Sequence, residues 1–315
     1  MSLLATNNIR QVGVFRNCHG GSEGTESSRK HLPQRQLSPA RATIVTTTVT
    51  TTVTTTVTTT AAISLPARRT FAPDHRADGA LFLAYIALIW LGMMLGFGGE
   101  IARHINNNDA PYPLILHVHS AVFCSWLVAF TAQIVLIRTH RPALHRRLGV
   151  AMTCGIGVLA IMGPLTAYTI QNLNWGTPRS DPAFFSVQLG DVIGFVGLSV
   201  AAIVLRKQAA AHKRLMLLAI LQLSTAGFSR WLGGTIGAAF PFGYWGQSFW
   251  ATFLILHLTN DLLALGIGVH DLLTRGRLQR AYVAGLAWSF GWQVIHVSLY
   301  LTPAWLPLAR WLLGH

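Results

Sequence analysis

From Ala80 onward the chain alternates long apolar runs with short polar breaks, and each run comes close to the roughly 20 helical residues needed to cross about 30 Å of hydrocarbon. Seven spanning helices are predicted: Ala80 to Gly98, Pro113 to Ile137, Leu148 to Ile170, Phe185 to Leu205, Leu215 to Ile236, Phe249 to Ile267 and Tyr282 to Leu301. The connections are short, so neighbours in sequence are expected to run antiparallel. The predicted fold is all-α, a seven-transmembrane-helix bundle over residues 80–302. After Pro303, the residues Ala304, Trp305, Leu306, Leu308, Trp311 and Leu312 suit a short amphipathic tail (303–315) lying on the surface where the last helix ends.

Residues 1–79 break this pattern. They hold no apolar run of spanning length and are rich in Ser, Thr, Arg and Gln, so they are expected to form a disordered cytoplasmic tail. Val45, Val49, Val53 and Val57 recur every four residues among threonines, a low-complexity tract that reads first as an expanded simple repeat. Few acidic residues and scattered Arg also fit an organelle transit peptide, whereas no apolar core of the signal-peptide kind is present.

Composition agrees with a membrane protein: 51% of residues are hydrophobic, 11% are charged and the mean hydropathy is +0.44. The net charge of +14 does not point to nucleic acid, because the basic residues lie between apolar runs rather than on a polar surface. The expected partner is the lipid bilayer. Cys18, Cys124 and Cys154 make neither a disulfide framework nor a metal-ligand spacing, and Cys124 and Cys154 are expected to be small packing residues.

The basic residues are one-sided. One set of connections carries Arg68, Arg69 and Arg76, then Arg138, Arg141, Arg146 and Arg147, then Arg206, Lys207, Lys213 and Arg214, and finally Arg275, Arg277 and Arg280. The opposite set has only Arg103, Arg179 and Arg310. By the positive-inside rule the N-terminus is in the cytoplasm and the C-terminus outside, in a bacterial cytoplasmic (inner) membrane. Trp175, Trp245, Trp250, Trp305 and Trp311 fall near the ends assigned to the outer face, where indole rings favour the headgroup level.

Ionisable groups within the bilayer are costly enough that each needs a partner, a cavity or a function. With about 1.5 Å of rise per residue, His119 lies roughly 9 Å inside the outer end of its helix, His257 about 12 Å and His296 about 8 Å. Asp191 and Arg230 belong to the same outer layer, and Asp261 sits one turn deeper than His257. At i,i+4, Asp261 is placed to accept the His257 imidazole N–H. Gln188 and Asp191, at i,i+3, add a second polar face.

Several readings stay open for this layer. Haem b needs two axial His on facing helices, with His119 and His257 as ligands, His296 as the substitute and Arg230 on a propionate; it would bring electron transfer and a membrane redox partner. A Zn or Cu site from His119, His257, His296 and Asp191 is a second reading. A proton path, a quinol site, or a transporter or assembly factor working through Asp191, Asp261 and Arg230 without a cofactor is a third. Structural packing, with Arg230 pairing Asp191 or Asp261, is the plainest.

On the basic side, His145-Arg146-Arg147-Leu148 and His212-Lys213-Arg214-Leu215 form a short repeat at the starts of two helices, suited to lipid headgroups or to a second, inner haem. Asp271 is expected to pair with an arginine of its own loop. No Ser-His-Asp set, H-E-x-x-H motif, phosphate loop or dinucleotide fingerprint occurs, so the chain offers no soluble-type active site and its status as an enzyme stays open.

The stretches Leu116 to Gln133, Pro142 to Gly149 and Ala211 to Ala219 resemble a group of bacterial multi-helix membrane proteins of unknown function. The resemblance extends over Ala80 to Arg280 and implies a polytopic inner-membrane protein, with no catalytic residue to carry over. In the placement of its His residues alone, the chain is also similar to cytochrome b561-like haem proteins, which implies haem b between paired transmembrane His.

Overall fold

The computed structural model describes residues 71–239 and 248–315; the low-complexity tract, Cys18 and Trp245 lie outside the described residues. All regular elements among the described residues are helical: α1 (Asp78–Asn106), α2 (Leu114–Arg138), α3 (Pro142–Leu173), a 3-10 turn (Pro182–Phe184), α4 (Phe185–Val204), α5 (Ala209–Ala239), α6 (Phe249–Arg275), α7 (Arg280–Leu301) and α8 (Trp305–Leu313). The all-α expectation therefore holds.

Among the described residues, six of the seven predicted spans are shown as long, apolar helices. Helices α1 to α6 are long and apolar enough to cross a membrane. Helix α7, with 22 residues, has the length but is less apolar, because Ser289, Gln293 and His296 occupy its inward face.

Helix ends extend past the apolar runs. α3 starts at Pro142, a residue preorganised for the first helical position, so His145, Arg146 and Arg147 form its first turn rather than a loop. His212, Lys213 and Arg214 are likewise inside α5. Hydropathy marks the hydrocarbon depth, whereas the helix continues wherever its backbone stays paired. The side chain of Ser248 accepts the Ala251 N–H to open α6, and Gly276, at φ +68°, closes it in the left-handed conformation that glycine adopts without strain. Pro164 does not interrupt α3.

α5 is the hub, packed against α1, α4, α6 and α7. Leu217, Leu218, Ile220 and Leu221 are buried on successive positions around it, the pattern of a helix enclosed on all sides. α1 approaches α5 so closely that a Cβ on Gly96 would overlap the carbonyl of Gly227, a contact only glycine permits. α2 packs mainly on α3, and α3 on α4. Trp126 of α2 meets Phe195 of α4 edge-on at 5.3 Å and anchors this second group to the core.

Large apolar side chains such as Met94, Leu114, Val150, Ile161 and Leu273 cover the outside, as expected of a surface facing lipid. Cys124 and Cys154, expected as small packing residues, are exposed on this outer surface. α8 buries Trp305, Ala309 and Leu313 beside Ala167 and Phe185, while Leu308 and Trp311 stay exposed.

Candidate functional site

Four helices bring polar side chains to one level between α4 and α7. On α7, Ser289, Gln293 and His296 follow at i, i+4 and i+7 and are all buried, because that spacing keeps them on one helix face. α6 contributes His257, Asn260 and Asp261, α5 contributes Gln222 and Thr225, and α4 contributes Asp191.

Ser289 Oγ donates to Gln222 Oε1 at 2.6 Å, and Gln222 Nε2 donates to Asp191 Oδ1 at 2.8 Å. Gln293 Nε2 donates to Asp261 Oδ1 at 3.0 Å. Asn260 Nδ2 donates to Thr225 Oγ1 at 2.9 Å and also to the Leu221 carbonyl, tying α6 to α5. The Nε2 atoms of His257 and His296 lie 3.0 Å apart, so one ring donates to the other. His257 is fully buried and His296 nearly so, and the Nδ1 atoms of both have no partner.

Asp191, His257 and His296 each place one potential ligand atom within 4.8 Å of the others. The fit at His296 depends on α4: a Cβ on Gly190 would overlap the Nδ1, Cγ and Cβ of that imidazole. Gly190 therefore admits the ring beside Asp191. Gln222 is held from the other side by close contact with Gly194.

The electrostatic character of this core follows from its partners. Among the described residues, ion pairs reach Asp74, Asp78, Glu100, Asp109 and Asp271, and none reaches Asp191 or Asp261. Both carboxylates accept instead from neutral amides. Arg230, expected to pair with one of them or with a haem propionate, is exposed; it lies over the Phe97 ring at 4.8 Å and donates to the Ala226 carbonyl. Its long side chain covers an aromatic face of α1 and turns away from the core.

The expected His257–Asp261 bond does not form either, since Asp261 accepts from Gln293 and His257 bonds with His296. His119 is half-buried on α2, with an unpartnered Nδ1, and α2 packs on α3 and α1 rather than on α6 or α7. It is not among the residues gathered around His257. Gln188 turns to α3, accepting from Gln171 at 2.9 Å.

At the basic end, His145 and His212 meet edge-on with ring centroids 6.4 Å apart, and His212 Nδ1 lies 2.9 Å from the Ala202 carbonyl oxygen. The two copies of the short repeat are thus neighbours in space. Beside them, Arg214 binds Asp271 through both Nε and Nη2, and Arg275 lies 3.5 Å from the same carboxylate. Asp78 accepts from Lys213 at 2.6 Å, from Arg275 at 2.7 Å and from His270 at 3.1 Å. Arg214 and Arg275 also stack on Phe71. Asp271 does find an arginine of its own helix end, but its bidentate partner comes from α5.

The residues absent from the sequence reading are Gln222, Ser289, Gln293 and Asn260. One signal for them was present: the spacing of Ser289, Gln293 and His296 puts three polar groups on one face of an otherwise apolar helix. Comparison with known proteins finds no family model, no curated protein and no solved structure that matches this chain. The chemistry of the core has to be read from its own atoms, and what that core offers is a set of acceptors and imidazoles suited to a cation.

Proposed function

We propose that this polytopic membrane protein accepts and passes a cation, the proton included, through the polar core between α4 and α7. The observation that carries this reading is that Asp191 and Asp261 stand inside the spanning bundle with only the neutral donors Gln222 and Gln293. A carboxylate at that depth without a basic partner is costly unless it serves a bound or moving charge. With α7 as a seventh crossing, the basic-residue asymmetry orients the bundle with its N-terminus in the cytoplasm and its C-terminus outside, in a bacterial inner membrane.

The test is flux in vesicles containing the purified full chain. With an imposed pH gradient and a trapped pH-sensitive dye, the wild type is expected to dissipate the gradient faster than empty vesicles. Asp191→Asn and Asp261→Asn are each expected to bring the rate back to background. A wild type no faster than empty vesicles, with and without added divalent metal, overturns the reading.

Haem b with electron transfer is the second reading, supported by the buried, unpartnered Nδ1 of His119. It needs His119 and a second imidazole on a facing helix. The His257–His296 pair is closed by its own hydrogen bond and leaves no gap for a macrocycle between the rings. A reduced-minus-oxidised absorption spectrum of purified protein decides it: a b-type band lost in His119→Ala supports haem, and its absence from protein made with ample haem removes this reading.

A further inference from the structure

We propose that Asp191, His257 and His296 form a site for one divalent transition-metal ion of the zinc class, within the α4–α7 core. The inference rests on the cation reading of that core and names the ligand atoms it would use.

Three independent features converge on these residues. The first is donor chemistry: two imidazoles and a carboxylate suit zinc and its neighbours, whereas calcium and magnesium take mainly oxygen ligands. The second is distance. Two nitrogens bound about 2.0–2.1 Å from one ion stand roughly 2.8–3.4 Å apart for angles between roughly 90° and the tetrahedral value. The Nε2 atoms of His257 and His296 are already 3.0 Å apart, and all three ligand groups lie within 4.8 Å of one another. Entry of the ion replaces the N–H···N bond of the pair: the donor ring's proton moves from Nε2 to its own unpartnered Nδ1, so both rings ligate as neutral imidazoles, and the carboxylate makes a modest approach.

The third feature is support around the ligands. Asp191 is oriented by Gln222, which is itself fixed by Ser289, so a chain of two hydrogen bonds holds the carboxylate toward the imidazoles. Gly190 leaves room for His296 where any side chain would displace it. Among the described residues Asp191 has no ion-pair partner, and Arg230 of α5 lies over the Phe97 ring instead. Three protein ligands leave at least one coordination position open, the arrangement of a site that exchanges what it binds and not of a closed structural centre.

The experiment uses the full chain without a histidine tag, solubilised in detergent and stripped with a chelator. Cobalt(II) is titrated while its visible d–d bands are recorded, and zinc is counted after equilibrium dialysis. One ion per chain is expected, with cobalt bands of the intense low-coordinate kind. His257→Gln, His296→Gln and Asp191→Asn are expected to remove those bands while size-exclusion profiles and helical content stay as in the wild type. Gln222→Leu, which keeps all three ligands but frees the carboxylate, is expected to weaken binding by about 10–100-fold. His119→Ala and the double variant His145→Ala/His212→Ala are expected to bind as the wild type does.

Binding well below one ion per chain, or binding that persists in both His257→Gln and His296→Gln, overturns the site. The two proposals separate cleanly. Proton flux that depends on Asp191 in a protein that takes up no metal sinks the metal site and keeps the cation reading. Stoichiometric metal in vesicles that pass neither protons nor metal keeps the site and sinks the passage.

Discussion

Helix α6 carries two aspartates ten residues apart that live in opposite surroundings. Asp271, at the basic end, is fully buried and held by Arg214 and Arg275, and Asp78 next to it is held by Lys213, Arg275 and His270. Asp261, in the α4–α7 core, has a glutamine amide. Acids and bases answer one another at the basic end, where the ion pairs tie α1, α5 and α6 together. The core is short of positive charge and long on acceptors. The same residue type is thus ion-paired at one level and bonded only to a neutral amide at another, and its partners, more than its depth, separate the two settings.

The sharpest way to break this contrast is to remove one side of the buried pair. Arg214→Ala leaves the fully buried Asp271 carboxylate with only the more distant Arg275, and a loss of about 3 kcal/mol is expected, read as a steep drop in thermal or denaturant stability in detergent. The double change Arg214→Met/Asp271→Leu removes both charges together and is expected to recover most of that loss. Recovery would show that the fastening is a matter of filled volume and cancelled charge; if the double variant is as unstable as the single one, the cluster has a role beyond cohesion.

Gly190→Ala comes next. Forcing a methyl group against the His296 ring is expected to cost about 1–3 kcal/mol of stability, the range for overpacking, and to lower cobalt affinity in the same preparation. Unchanged metal binding would remove His296 from the ligand set.

Asp191→Asn should behave in the opposite sense to Arg214→Ala. The amide can still accept from Gln222, no ion pair is broken, and stability is expected within about 1 kcal/mol of wild type while metal binding and flux disappear. A loss as large as that of Arg214→Ala would erase the distinction between the two aspartates. The smallest effect belongs to Lys213→Ala: Asp78 keeps Arg275 and His270, so about 1 kcal/mol or less is expected.

Much of the fold was legible because lipid imposes a single rule, that long helices must be apolar where they meet it. The rule says nothing about where a helix stops. That is why the basic residues Arg146, Arg147, Lys213 and Arg214, counted among the connections, are helical, and why α7, with its polar inward face, falls short of the apolarity of the other six. In the core, ranking residues by their cost in hydrocarbon singled out Asp191, His257 and His296. It also singled out Arg230, which stacks on Phe97, and His119, which sits on α2 away from the other histidines with its Nδ1 unpartnered. Uncharged Gln222 and Ser289 carry no such flag, although they aim the carboxylate. The Arg214–Asp271 pair joins residues 57 positions apart, and a topology rule reads both as loop charge. Facing between helices is set by packing, and packing leaves only a faint trace in a single sequence.

The contact between Gly96 and Gly227 has a mechanical meaning. Two backbones that touch, with no side chain between them, behave like a key in a slot: turning or sliding either helix by one residue would drive a Cβ into a carbonyl. The pairs from Asp78 to Lys213 and Arg275 fix the same helix at its other end. α1 and α5 therefore travel as one strut, and any rearrangement that opens a way to Asp191 has to bend or swing other helices around it.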